Sequence, residues 1–382
     1  MRTWRTWLTA LATAGLLAGA LPAAVAVAAP STTTLTAAPG AGRAQVPWHQ
    51  VGSGWVLAQY SQAKPEGGGA GPVTLDLVSP RGTIYKLASW PSSRTAPALI
   101  AWSPDGTRAL FDITTGKGDQ VEQLTLATGR TSTFTLAGGA SALGYTAPDG
   151  AGIVGSTPAG NGVRYARYSQ SGALLRVLGT SPGGRPLYSA DGTELAIDSS
   201  HGLALVSNGG TVIRQLPVPG MDSTSCDPIR WWNPGTILAS CAPPSAAAPR
   251  LWLVPASGAR PAAITPQRSG DSPDLGDLDA WQLSSGLYLQ GAGPCAVLQI
   301  FRQAANGSIR LVKVPGTAGD NAVLTALGSR LLVQAPLSCE GSNSLLWFNP
   351  ATRAEQWLIR TPSAIMGVVA AIPFYSRENG AL

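Results

Sequence analysis

Two histidines in 382 residues leave this chain short of the commonest general base and metal ligand. A zinc site built from histidines is excluded on that count. His49 and His201 lie in an irregular first strand and in a loop after AIDSS, positions that read as surface or packing residues. Charge is scarce as well. Only 12% of residues are Asp, Glu, Lys or Arg, and no basic run occurs, which excludes a nucleic-acid-binding patch. The formal charge of +6 includes Arg2 and Arg5, so the remainder is only mildly basic. No cysteine precedes Cys226, so the N-terminal region offers no lipobox. The four cysteines show neither a C-x-x-C spacing nor a neighbouring histidine, which argues against a metal or redox centre.

What the N-terminus does contain is an export layout. MRTWRTWLTALATAGLLAGALPAAVAVAAP sets Arg2 and Arg5 ahead of an apolar stretch that ends in small residues. Residues 1–28 are read as a secretory signal peptide cleaved after Ala28, with Ala26 the second choice. An uncleaved anchor is the alternative, because Leu8 to Ala29 approaches the length of a bilayer span. No later segment does so, so no transmembrane span is expected after cleavage. Residues 29–45, with STTTLTAAPGAGRAQ, are read as a flexible linker. The expected location is secreted or extracytoplasmic, with cell-wall association left open.

From residue 46 to 382 the sequence repeats. LIAWSPDGTRALF, from Leu99 to Phe111, returns as YTAPDGAGIVG near Tyr145, YSADGTELAI from Tyr188 and WWNPGTILAS from Trp231. Degenerate copies follow at WQLSSGLYLQ and LTALGSRLLVQ, and WHQVGSGWVLAQ from Trp48 reads as an earlier one. Their spacing is about 44 residues, a propeller-blade period. Pro presets one turn dihedral, Asp or Asn bonds local backbone, and Gly accepts the positive φ that closes a hairpin. A second turn series interleaves with the first: SPRG, ATGR, QSGA, NGGT, ASGA, ANGS and PATR. Each unit therefore reads as four antiparallel strands, and such units bury both faces only when packed radially.

The expected fold is all-β, a single β-propeller of seven blades, with six or eight as alternatives. Blades start near Trp48, Pro97, Ala140, Arg185, Cys226, Leu278 and Asn321, and the trailing GVVAAIPFYS is expected to pair with the first blade. The aromatics Trp48, Trp102, Tyr145, Tyr188, Trp231 and Trp281 are read as wedges between blades rather than a ligand cage. Four cysteines in an exported chain suggest two disulfides. Cys226 and Cys241 flank the hairpin turning at Asn233 to Thr236, and Cys295 and Cys339 end the second strands of neighbouring units. Those are the preferred pairs.

The chemistry-bearing strings are few. GTSPG at 179–183 fits G-x-S-x-G, but a nucleophile elbow needs a strand-to-helix turn, and Ser181 falls between β units. DSPDLGDLDA places Asp271, Asp274, Asp277 and Asp279 in one loop, the candidate site for a hard cation such as calcium. No other cofactor is expected and no catalytic residue is assigned.

WSPDGTRALF, with the APDG and SADG copies, resembles the repeat of TolB-like propellers, a branch of the WD40-like architecture. The second half, with CDPIRWW, GAGPCAVLQIFRQ and SCEGSNSLLWFNP, looks like secreted actinobacterial proteins of that type. The resemblance implies an extracytoplasmic interaction domain in which the repeat's Asp and Gly are turn residues. It also implies that the first strand of each blade is innermost, which puts Arg94, Arg185, Arg230, Asp279, Asp320 and Asn321 at the mouth of the central funnel. The expected function is a noncatalytic binding or scaffold module at the cell envelope, taking an envelope protein, a peptide or a polar ligand. A propeller hydrolase or lyase using funnel carboxylates, with or without calcium, and a structural wall protein are the alternatives. Oligomeric state is not legible.

Overall fold

The computed structural model describes residues 41–61, 71–91, 96–115, 118–221, 226–243, 248–267, 276–292, 297–336, 343–360 and 364–370. The chain divides into Met1–Thr36 and Ala37–Leu382, and every described residue belongs to the second unit.

Local turn chemistry sets the strands. In blade 2, Asp105 Oδ1 accepts the Thr107 N–H at 3.0 Å and the Thr107 hydroxyl at 2.8 Å, while Gly106 takes φ +72°. The SADG copy repeats this arrangement, with Asp191 bonding Ser189 and Thr193 and Gly192 at φ +69°. The Ser189 hydroxyl, followed by Thr193, holds the Asp191 carboxyl below its ordinary range. These aspartates are turn locks.

Seven sheets result among the described residues, six of them with four antiparallel strands in sequence order from first to last. Blades 2, 3 and 4 begin at Ala98–Trp102, Ser141–Tyr145 and Leu187–Tyr188, and blades 5, 6 and 7 at Cys226–Asn233, Asp277–Leu283 and Ala322–Leu327. First strands touch between blades 1 and 2, 2 and 3, 4 and 5, and 6 and 7, whereas last strands such as Leu174–Ser181 and Val212–Pro217 are largely exposed. The first strand is therefore innermost.

Blade 1 is assembled from both ends of the folded unit. Its inner strand is Ala364–Ala370, paired antiparallel with Val56–Ser61 in the register Val56↔Ala370, Ala58↔Val368 and Ser61↔Ala364. The copy at Trp48 is consequently not a first strand. Trp48–Gln50 forms a 3-10 turn, and the GSG turn after it leads into the second strand, because the first is supplied from the C-terminal side. The expected pairing of the tail with the first blade is found, beginning at Ala364; residues 371–376 of the expected segment lie outside the described set. Ala41–Gly42, within the stretch read as linker, adds a fifth, outermost strand parallel to Tyr85 and Lys86.

Seven apolar clusters fill the seven blade boundaries, including the closing one between blades 7 and 1, where Val56, Ala58 and Val78 meet Leu332, Leu345 and Trp347. Successive residues of one strand serve opposite boundaries. Phe111 packs toward blade 1 and its neighbour Leu110 toward blade 3. Burial on both faces is why these strands are nearly all apolar instead of alternating. The wedge aromatics Trp102, Tyr145, Tyr188, Trp231 and Trp281 are all buried in these clusters, and Trp231 Nε1 donates across a boundary to the Tyr188 carbonyl at 2.7 Å.

Cys226 and Cys241 are bonded, sitting directly opposite each other on the first two strands of blade 5. Cys295 and Cys339 lie outside the described residues. Among the described residues no helix is long and apolar enough to cross a membrane.

Candidate functional site

The first strands are innermost, so charged side chains on them are the candidates for recognition. Arg230 on the inner strand of blade 5 and Asp279 on that of blade 6 are joined by an ion pair, Arg230 Nη2 donating to Asp279 Oδ2. The guanidinium also stands 4.7 Å from the ring centroid of Trp281, a cation–π contact that fixes its plane. The side chains remain 16% and 18% exposed, so the pair is mostly buried yet reachable by solvent. Burial raises the Asp279 carboxyl above its ordinary range, and Arg230 opposes that rise. Asp279 Oδ1 accepts the Ala280 N–H at 2.7 Å. With both oxygens engaged, a cation at Asp279 would have to displace the guanidinium.

The other candidates are placed differently. Arg185 is exposed in the loop entering blade 4. That loop lies against the start of blade 5, where a Cβ on Gly184 would come 2.3 Å from Asp227 Oδ1. Tyr165 underpins it, its hydroxyl reaching the carbonyls of Gly183 and Gly184 at 2.8 and 2.7 Å. Asp320 and Asn321 are built into the strand edges. Asp320 Oδ1 accepts the Leu298 N–H at 2.8 Å, and the Asn321 N–H donates to the Leu298 carbonyl at 2.7 Å. Asp277 is buried, its N–H donating to the Pro249 carbonyl at 3.2 Å. Arg94, Asp271 and Asp274 fall outside the described residues. Among the described residues no group of three metal-ligating side chains comes together. Ser181 is buried at the end of an outer strand, where its hydroxyl donates to the Gly183 carbonyl at 2.6 Å. The described residues include no α-helix and hence no strand-to-helix elbow.

A ring of polar positions at the same end is visible only once the blades are superposed on their repeat. After its first turn every blade runs three small or apolar residues and then one polar residue: VLAQ to Gln59, ALFD to Asp112, IVGS to Ser156, LAID to Asp198, ILAS to Ser240, LYLQ to Gln290 and LLVQ to Gln334. Four of these clamp the inner strand of the next blade. Gln59 donates to the Pro97 carbonyl at 2.6 Å and accepts the Leu99 N–H at 3.0 Å. Gln290 does the same with the Asn321 carbonyl, 3.1 Å, and the Val323 N–H, 2.6 Å. Asp198 accepts the Cys226 N–H at 2.9 Å, and Ser240 donates to the Asp277 carbonyl at 3.5 Å. The clamps satisfy inner-strand groups that lack a ladder partner on the axis side. They fix the mouth on which Arg230 and Asp279 are mounted.

No protein-family model matches the chain, and no curated protein matches it by sequence. Solved structures match at the level of the propeller. A prolyl endopeptidase aligns with 82% of this chain and 50% of its own at 14% identity and TM-score 0.52. A candidate 6-phosphogluconolactonase from Bacteroides uniformis aligns with 82% of this chain and 99% of its own at 15% identity and TM-score 0.51. TolB from Acinetobacter baumannii aligns with 84% of this chain and 67% of its own at 12% identity and TM-score 0.47. The chain spans about half the length of the first peptidases it matches. At these identities the shared property is the fold, and fold alone does not carry an activity.

Proposed function

We propose that this chain is an exported, noncatalytic propeller of TolB-like type that binds a polar ligand, peptide or envelope protein at its inner mouth. The observation that carries the reading is the Arg230–Asp279 pair, a half-desolvated charge pair bridging two blades beside the axis. Rigid mounting of such a pair lowers the ordering cost of recognition. Export is supported by the signal-like N-terminus and by the buried Cys226–Cys241 bond, which needs an oxidising compartment to form. The hydrolase alternative draws on the whole-length match to the Bacteroides protein and would assign Asp279 and Asp320 as the working carboxylates.

Thermal-shift measurement against wall sugars, peptides, calcium and other divalent ions, with and without chelator, tests this reading. A ligand held at a hundred times its dissociation constant stabilises the fold by about 2.7 kcal/mol. The expected result is a shift with a polar organic ligand or peptide that is lost in the Arg230→Ala/Asp279→Ala variant. A calcium-specific shift, or turnover of a lactone or peptide abolished by Asp279→Ala, would replace the noncatalytic reading.

A further inference from the structure

Six large apolar side chains stand exposed among the described residues, and five of them sit on two neighbouring outer strands. Leu174, Leu175 and Val177 belong to the last strand of blade 3, and Val212 and Ile213 to the last strand of blade 4. Each is 43% to 54% exposed. The two strands are in contact through the turn that precedes Val212, since a Cβ on Gly210 would lie 2.3 Å from the Val177 carbonyl. Single exposed aliphatics need no explanation; five in one patch do.

The charge on the strands that carry the patch is basic: Arg176 on Leu174–Ser181, Arg164 and Arg167 on the adjoining Gly162–Tyr168, and Arg214 on Val212–Pro217, with no Asp or Glu on any of the three. The acids of blade 4, Asp191, Glu194 and Asp198, lie in its first turn and second strand. Arg176 stands between Leu175 and Val177 and is exposed, as is Arg164 on the adjoining strand. Arg214 Nη1 donates to the Ser257 carbonyl. The backbone edge itself is irregular: the pairing of Leu174–Ser181 with Gly162–Tyr168 shifts register twice. Bulges of that kind discourage addition of a further strand. Recognition here therefore runs through side chains, aliphatic tips set among arginines.

We propose that the outer edge of blades 3 and 4 docks on an anionic lipid surface, with Leu174, Leu175, Val177, Val212 and Ile213 entering the headgroup region and the arginines meeting lipid phosphates. Half-exposed side chains spread over two outer strands fit a planar amphiphilic surface, and arginines without carboxylates on those strands supply the complementarity to anionic lipid. The proposal is independent of the mouth, which lies on the inner strands.

Co-sedimentation of the mature chain, residues 29–382, with three-to-one phosphatidylcholine–phosphatidylglycerol vesicles tests it. Binding at low salt, release on raising salt, and weaker binding to phosphatidylcholine alone are expected. The Leu175→Asp/Ile213→Asp variant should lose about tenfold in partitioning, and Arg176→Glu should lose its salt-sensitive part. Leu311→Asp, an exposed apolar position on blade 6, should bind as the parent does, and unchanged melting of all variants shows that they fold. Equal binding by the parent and the double variant would overturn the proposal. So would vesicle binding displaced by soluble polyglutamate, which assigns the patch to an acidic polypeptide, or a parent dimer broken by Leu175→Asp/Ile213→Asp without vesicle binding, which assigns it to a second copy.

Discussion

A chain ended after Arg360 will lose its cooperative unfolding transition. The truncation removes Ala364–Ala370, the inner strand of blade 1, and with it the whole ladder to Val56–Ser61. Val56, Leu57 and Ala58 are fully buried, and Val368 and Val369 pack into the clusters on either side of that blade. Without the strand, blade 1 keeps four of its five strands, with an open inner edge and two incomplete boundaries. The expected loss is comparable to the entire stability of a domain, about 5–15 kcal/mol. Equilibrium denaturation followed by tryptophan fluorescence reads it directly. A truncated chain with the parental midpoint would mean that the ring does not depend on its C-terminal strand.

Replacing Asp76 by Asn will stabilise the protein at neutral pH. Asp76 is 2% exposed on the third strand of blade 1; its Oδ2 accepts the Tyr60 hydroxyl at 2.9 Å, and Oδ1 meets no donor among the described residues. Burial pushes its carboxyl up to about 6, against the Tyr60 hydrogen bond and the charge of Lys86, which both pull it down. The same burial, with Asp76 adding to it, pushes the Tyr60 phenol up to about 12. A carboxyl whose pKa is higher in the folded state than in the unfolded chain binds more protons when folded. Its stabilising contribution is complete below the unfolded value of 3.8 and is lost as pH rises through about 6. Above that pH the buried carboxylate costs about 3 kcal/mol, a shift of roughly two pH units at 1.36 kcal/mol each. Asn keeps an acceptor for Tyr60 and carries no charge. Its new amide has Thr74 Oγ1, unpartnered two residues back on the same strand face, as an acceptor. Urea denaturation of both proteins from pH 4 to pH 8 should show a difference that opens between pH 4 and 6 and then stays level. Raised carboxyls at Asp279 and Glu122 and the lowered one at Asp191 affect both proteins alike and cancel. A constant difference at every pH would remove the charge from the explanation.

What was legible in the sequence follows the range of the interactions concerned. Both turn series were readable because Asp105, Asp191 and their glycines act within four residues of themselves. Six of the seven blade starts fall within two residues of the inner strands for the same reason. The start of blade 1 was not readable at Trp48, because the strand that completes it lies some three hundred residues away, and local turn chemistry carries no record of that pairing. Cys226 with Cys241 was readable from a hairpin. The Arg230–Asp279 pair joins residues 49 apart, and the sequence presents them as two separate rim charges. Asp320 and Asn321 looked like rim residues as well, yet the Asp320 carboxyl accepts the Leu298 N–H, and the Asn321 backbone is held by Leu298 and Gln290 while its side-chain Oδ1 is buried without a partner among the described residues. The clamp position was present all along as the polar fourth residue after each first turn. It is hidden because Gln, Asp and Ser substitute for one another there.

The binding mouth depends on a ring joined through blade 1, since it exists only if the seven inner strands are held around one axis. Native-state amide hydrogen exchange tests this most directly. The buried ladder between Val56–Ser61 and Ala364–Ala370 should exchange only through global unfolding, with the same free energy as the ladder of blade 5. Exchange of 364–370 at a much lower free energy, while blades 2 to 7 stay protected, would contradict the closed ring and the binding mouth built on it.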